Sequence, residues 1–198
     1  MHGIVFVLKV FITFTKKLFT MNSINEQQPE KNNENLQGSE AVNKIKKLVD
    51  KASTCFFCTA IEGNKPFQTR PMSVQDVDDE GNLWFLSASD SHLNQEIETD
   101  NKVQLLFQGS AHAGFLELNG EATISKDKEK IKEFWGPLLK TWFTEGIDDP
   151  RITVIKVETY DGYYWDNKHG NAVALVKMAV GAMIGQTLDD SIEGKLNI

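Results

Sequence analysis

Basic residues are the minority charge in this chain of 198 residues: Lys and Arg number 21 against 28 Asp and Glu, for a formal net charge of −7. The first twenty residues carry Lys9, Lys16 and Lys17 and no acid, so the rest is more acidic still. A body of that sign argues against nucleic acid or an anionic membrane as the main partner. Cysteine is scarce as well. Cys55 and Cys58 are the whole supply, and one close pair cannot build a disulfide framework, which fits a reducing, cytoplasmic setting. Long apolar runs are missing too. The most apolar early stretch, residues 4–14, is interrupted by Lys9, which makes it too short and too charged to span a bilayer. Its basic residues follow the apolar part instead of preceding it, unlike a signal peptide. Neither a glycine-rich dinucleotide fingerprint nor a Walker phosphate loop occurs. Paired carboxylates, a serine and histidine constellation and a dense metal cluster are also absent, so no residue is singled out as catalytic or as a metal ligand.

What is present divides the chain into four parts. Residues 1–20 read either as sequence upstream of a true start at Met21 or as a weak interfacial segment. Residues 21–38 are Asn, Gln and Glu with almost nothing apolar, the composition of a disordered leader. Residues 39–185 form the folded domain, and residues 186–198 a polar C-terminal tail. A helix is predicted to start at Ser39 as its N-cap, because Val42, Ile45, Leu48 and Val49 follow at helical spacing. Strands are predicted over 54–61, 66–77 and 83–87, with turns at 62–65 and 78–82 where glycine and asparagine tolerate positive φ. Ser89, Asp90 and Ser91 open a short helix with Leu93 and Ile97 on its inner face. Further strands are predicted over 103–108, 115–125, 152–160 and 162–166, with a charged helix over 126–135 and an apolar one over 172–184. Six or seven short antiparallel strands with few helices point to a mainly β fold, a closed or split barrel with flanking α-helices.

Three groups of residues are candidates for chemistry. Cys55 and Cys58 have thiol-redox spacing but lie in a β-prone run away from any helix N-terminus, so they read as core thiols. His2, His92, His112 and His169 have no ligand spacing, which excludes a zinc knuckle. Arg70 falls mid-strand and requires either solvent or an anion, while Pro71 beside it lacks an amide donor and belongs at a sheet edge, where backbone groups are free for a ligand. Ser87, Ser89 and Ser91 lead from a strand into a helix, the arrangement of a phosphate site, against which plain N-capping accounts for one serine only. Trp84, Trp135, Trp142 and Trp165 with Tyr163 and Tyr164 supply aromatics for a core, an interface or a planar ligand.

Taken in order, Thr69-Arg70-Pro71-Met72, Leu83-Trp84-Phe85-Leu86-Ser87 with Ser91-His92, and Asn101-Lys102-Val103-Gln104-Leu105-Leu106-Phe107 resemble the pyridoxamine 5′-phosphate oxidase-like, FMN-binding split-barrel superfamily. Trp135-Gly136-Pro137, Trp142-Phe143, Gly146, Asp148-Asp149-Pro150-Arg151 and Tyr164-Trp165-Asp166 narrow the likeness to its bacterial general stress protein branch. The resemblance implies a Greek-key split barrel that works as a cytoplasmic homodimer with FMN in clefts at the subunit interface. It implies that Arg70 contacts the phosphate or ribityl region, that Pro71 and Met72 face the isoalloxazine, that Ser87, Ser91 and His92 form the phosphate end, and that Trp165 lies near the cleft. Where the oxidase pattern has basic residues after the serine, this chain has His92 and Leu93, and Gln75 replaces a further lysine. Each lost charge-assisted bond costs ~1.5–3 kcal/mol, so FMN is expected to bind loosely or with His92 protonated. The function implied is flavin-dependent oxidoreduction of an unidentified small molecule. The alternatives are a non-catalytic flavin-binding or flavin-sensing protein, and a dimeric barrel that binds haem or a deazaflavin, with His92 or His169 as ligands.

Overall fold

Leu116, Leu118, Gly120 and Ala122 alternate with partly or fully exposed residues along residues 115–125, and all four are buried, which is the two-residue period of a strand with one face in a core. The computed structural model of this chain describes residues 31–61, 66–185 and 188–198. Among the described residues nine strands, β1 (Leu36–Gln37), β2 (Thr54–Thr59), β3 (Gln68–Ser73), β4 (Asp76–Val77), β5 (Leu83–Ala88), β6 (Lys102–Gln108), β7 (Phe115–Ser125), β8 (Ile152–Asn167) and β9 (Ser191–Asn197), make one sheet. Its order is β1-β9-β8-β7-β6-β2-β3, with β4 and β5 joined to it through pairing of β5 with β8. Four helices flank it: α1 (Ser39–Ala52), α2 (His92–Thr99), α3 (Lys128–Phe134) and α4 (Asn171–Ile184).

The expected helix at residue 39 is present as α1, and it buries Ala41, Val42, Ile45, Leu48 and Val49 on one face. Its cap differs from expectation. Gly38, at φ +56°, occupies the N-cap and Ser39 is already helical, so the chain enters through a conformation that serine would resist. The main core joins this face to Phe57, Phe85, Leu105, Leu118, Ile155 and Val157 from the sheet.

Two boundaries move outward. The leader expected to be disordered as far as residue 38 reaches the sheet within its last few residues: Asn33 bridges Glu193, and β1 pairs in parallel with β9. The tail expected after residue 185 contains β9, which pairs antiparallel with β8 over Asp161 to Asn167. Both segments are polar in composition, but sheet edges need only alternate residues buried, and Ile192, Gly194 and Leu196 supply them. Residues 152–166 are also one strand instead of two. Gly162, expected to open a second strand, lies inside β8 where it crosses close to β7; a Cβ there would collide with the Glu117 carbonyl, so glycine keeps the strand continuous. The expected turn at 62–65 and residues 1–30 lie outside the described residues.

A buried carboxylate ties α4 to the sheet. Asp190 accepts hydrogen bonds from the His169 amide at 2.8 Å and pairs with His169 Nδ1 at 2.7 Å and Lys177 Nζ at 2.9 Å. Burial works to raise its pKa, but the bonds from His169 and Lys177 outweigh it and hold the carboxyl at about 2. The folded value lies below the ordinary carboxylate value of ~3.9, so this stabilisation is complete above that pH and is lost as pH falls through about 2. Asp190→Asn should therefore lower the melting temperature at about pH 6, with the difference from the parent narrowing between about pH 4 and 2. A difference that stays constant into acid would show that the carboxylate charge is not what anchors α4.

Candidate functional site

A second, smaller core lies across the sheet from the first. Ile131, Phe143, Ile152 and Val154 are its buried members, with Trp84, Leu86, Phe134, Trp135, Leu139 and Ile147 packed around them. Pro137 opens a 3₁₀ helix over Pro137–Thr141, where its fixed φ suits the first turn and its missing amide costs nothing. This segment is clamped at its far end. Arg151 donates to both carboxylate oxygens of the buried Asp149, at 3.0 and 2.7 Å, and to the Trp142 carbonyl at 3.2 Å. The bond from Arg151 is the main reason that the Asp149 carboxyl is held at about 2. Phe143 is thereby buried while Trp142 stays 65% exposed beside it.

Between this segment and the sheet lies a cleft of about 430 Å³, lined by Pro71, Met72, Ser73, Gln75, Leu86, Ser87, Ala88, Leu139, Trp142 and Phe143. None of these side chains carries a charge. Pro71 sits on β3, the terminal strand of the sheet path, as a residue without an amide donor should. Of the residues expected to form a site, the cleft brings together Pro71, Met72 and Ser87.

Ser91 adjoins the end of the cleft marked by Ser87. The two hydroxyls are 3.1 Å apart, and Ser91 is the N-cap of α2, accepting from the Asn94 amide at 3.2 Å. Asn94 is buried and donates to Thr153 Oγ1 at 3.0 Å, which donates in turn to the Ser87 carbonyl at 3.1 Å. These bonds fix both serines from behind. His92 is exposed on the first turn of α2, whereas Leu93 is buried in the main core and is not available to a ligand.

Arg70 is half-buried and already paired. Its Nη2 donates to Glu96 Oε2 of α2 at 2.5 Å, and Thr59 Oγ1 donates to the same oxygen, also at 2.5 Å. Burial pushes the Glu96 carboxyl up, but the bonds from Thr59 and Arg70 outweigh it and keep it below its ordinary range, hence ionised at neutral pH. The other terminal nitrogen, Arg70 Nη1, is buried without a hydrogen-bond partner. Glu96 and Thr59 carried no signal in the sequence, since a charged residue on the outer face of a short helix looks like any other.

Trp165 is placed elsewhere. It pairs with Phe115 and Glu193 near the far end of β8, whereas Ser87 pairs with Thr153 near its start. Within one chain it does not line the cleft. Cys55 and Cys58 are both buried and free, and burial pushes the Cys55 thiol up to about 12, where it is neither nucleophile nor ligand. Among the described residues no cluster of His, Cys, Asp or Glu could hold a metal, and no helix is long and apolar enough to cross a membrane.

This geometry can be set beside known proteins. The family model described as pyridoxamine 5′-phosphate oxidase like matches residues 40–189, most of the chain. The chain belongs to that family. Among solved structures, this pyridoxamine 5′-phosphate oxidase-like protein is similar to a putative general stress protein 26 from Jannaschia sp. CCS1, with TM-score 0.67 and 22% identity over 79% of this chain and 97% of that one. It is also similar to the general stress protein 26 of Bacillus anthracis, with TM-score 0.54 and 23% identity over 62% and 92%. These likenesses show the fold. A further relative is protein bli-3 of Neurospora crassa, 23% identical over 112 residues; the match spans 52% of this chain and 54% of that protein.

Proposed function

We propose that this family member is an FMN-binding flavoprotein of the general stress type, a Greek-key split barrel that acts in the cytoplasm as a homodimer and carries out oxidoreduction of a small molecule. The observation that carries the reading is the cleft between the 3₁₀ segment and β3/β5: uncharged and flanked by Trp142, it adjoins the serines Ser87 and Ser91 at one end. The residues fit a flavin. Pro71, Met72, Leu86, Leu139 and Phe143 offer apolar surface to a planar ring, Gln75 and Ser73 offer polar atoms at its rim, and the Ser87 and Ser91 hydroxyls offer polar groups for the ribityl or phosphate end. Bound flavin would carry the electrons, while the chain positions it and excludes water.

Exposed apolar residues support the dimer. Phe56 and Trp142 are 58% and 65% exposed, and Leu175, Val176, Met178 and Met183 stand out from α4. Surface of this kind favours a partner, and a second copy is the partner that would bring Trp165 toward a cleft it does not reach in its own chain. The test uses Trp142 as reporter. FMN added to the protein should quench tryptophan fluorescence, and Trp142→Phe should remove most of that quench. A quench unchanged by the substitution would place the flavin elsewhere. Colour without turnover would favour the non-catalytic, flavin-sensing alternative, for which the absence of any acid or base among the cleft-lining residues is the supporting observation.

A further inference from the structure

We infer that the outer face of α4 is a docking surface for the chain's own residues 4–18, which lie outside the described residues. The helix is held to the body along one narrow line. Of its residues only Ala174 and Gly181 are buried, and Lys177 between them turns inward to the buried Asp190, at 2.9 Å. On the opposite side Ala172, Leu175, Val176, Ala179 and Met183 recur at helical spacing, all exposed, Met183 to 78%. No charge stands on that stripe, because Lys177 is the helix's one ionisable residue and faces the other way. An apolar helix face this continuous favours a cover.

Residues 4–18 have the matching pattern. At the same spacing Ile4, Val7, Leu8, Phe11, Phe14 and Leu18 share one side, and Lys9, Thr13, Lys16 and Lys17 share the other. Three lysines and no acid also suit a body whose net charge is negative. The chain enters the described structure beside this helix. Lys31 shares a surface pocket with Asn167 and Lys168, just ahead of Asn171, where α4 begins. Residues 19–30 can span about 40 Å, nearly twice the length of α4, so the segment can reach every turn of the helix. A second copy is a poorer cover here. A helix face of about 21 by 10 Å is far below the ~800 Å² per partner of a stable dimer, whereas a tethered segment binds at high effective concentration. A lipid surface is poorer too, since interfacial helices pair their apolar face with a basic one and α4 has a single lysine, already taken by Asp190. Docking of residues 4–18 leaves Phe56 and Trp142 exposed for a second copy.

The experiment is hydrogen exchange of the full chain, read by mass on peptides, in the parent and in Phe11→Asp and Val176→Asp. Phe11→Asp should speed exchange in α4 at least tenfold, and Val176→Asp should do the same to residues 4–18, with β7 of the main core unchanged in both. An α4 that exchanges at the parent's rate in Phe11→Asp overturns the inference, and so does faster exchange in β7, the mark of a general loss of structure. Two further results overturn it in the parent itself. Protection of α4 that rises with protein concentration would make a second copy the cover, and protection gained on adding vesicles of phosphatidylserine and phosphatidylcholine would make it a lipid surface.

Discussion

Phe57→Ala should destabilise the fold by about 3–5 kcal/mol. Phe57 is fully buried on β2, and its ring meets Phe85 of β5 edge to face, with centroids 5.2 Å apart. That contact joins two strands that share no ladder, because β2 pairs with β6 and β3 while β5 pairs with β8 and β4. Removing the ring leaves a cavity walled by rigid strands on both sides, which relax less than loops do, so the cost falls toward the upper part of the range. The edge-to-face contact is lost in addition. Urea unfolding monitored by tryptophan fluorescence measures it. A loss below about 1.5 kcal/mol would show that the two parts are held together by other contacts.

The second large effect concerns binding. Arg70→Ala should weaken FMN binding at least tenfold while leaving the protein folded, because a charge-assisted contact contributes about 1.5–3 kcal/mol. Two changes act in the same direction. The Arg70 cation next to Pro71 of the cleft is removed, and the ionised Glu96 is left without its partner. Stability should change little, since the Glu96 side chain is 26% exposed and regains water when its partner is lost. Adding Glu96→Gln to Arg70→Ala should recover part of the FMN affinity, because it removes the charge that Arg70 no longer balances. Isothermal titration with FMN reads the parent and both variants, and an FMN affinity unchanged by Arg70→Ala would remove this residue from the site.

The middle of the fold was legible because its residues obey a local period. Strand β7 has the bounds that alternation along 115–125 predicts, and α1 and α2 follow from Val42, Ile45 and Leu48 and from Leu93 and Ile97. The edges were less so. Ile192, Gly194 and Leu196 do alternate, but the charged residues between them and the apolar helix before them make the segment read as a tail. The break expected between Tyr160 and Gly162 shows the opposite error, since a glycine beside it marks a close approach of two strands as readily as the start of a new one. At the candidate site, Pro71, Met72 and Ser87 could be found because strand edges and strand-to-helix turns announce themselves locally. The Glu96 partner of Arg70 lies 26 residues further along the chain, and no periodicity links them. Trp142 owes its place to the Asp149 and Arg151 clamp, a tertiary contact that a row of aromatic residues does not reveal.

The most direct test of the central claim is an absorbance spectrum of the purified protein before and after addition of FMN, read across a gel-filtration peak. The account predicts a flavin band that travels with protein at the volume of a dimer. A colourless protein peak with FMN eluting separately as a small molecule would contradict it.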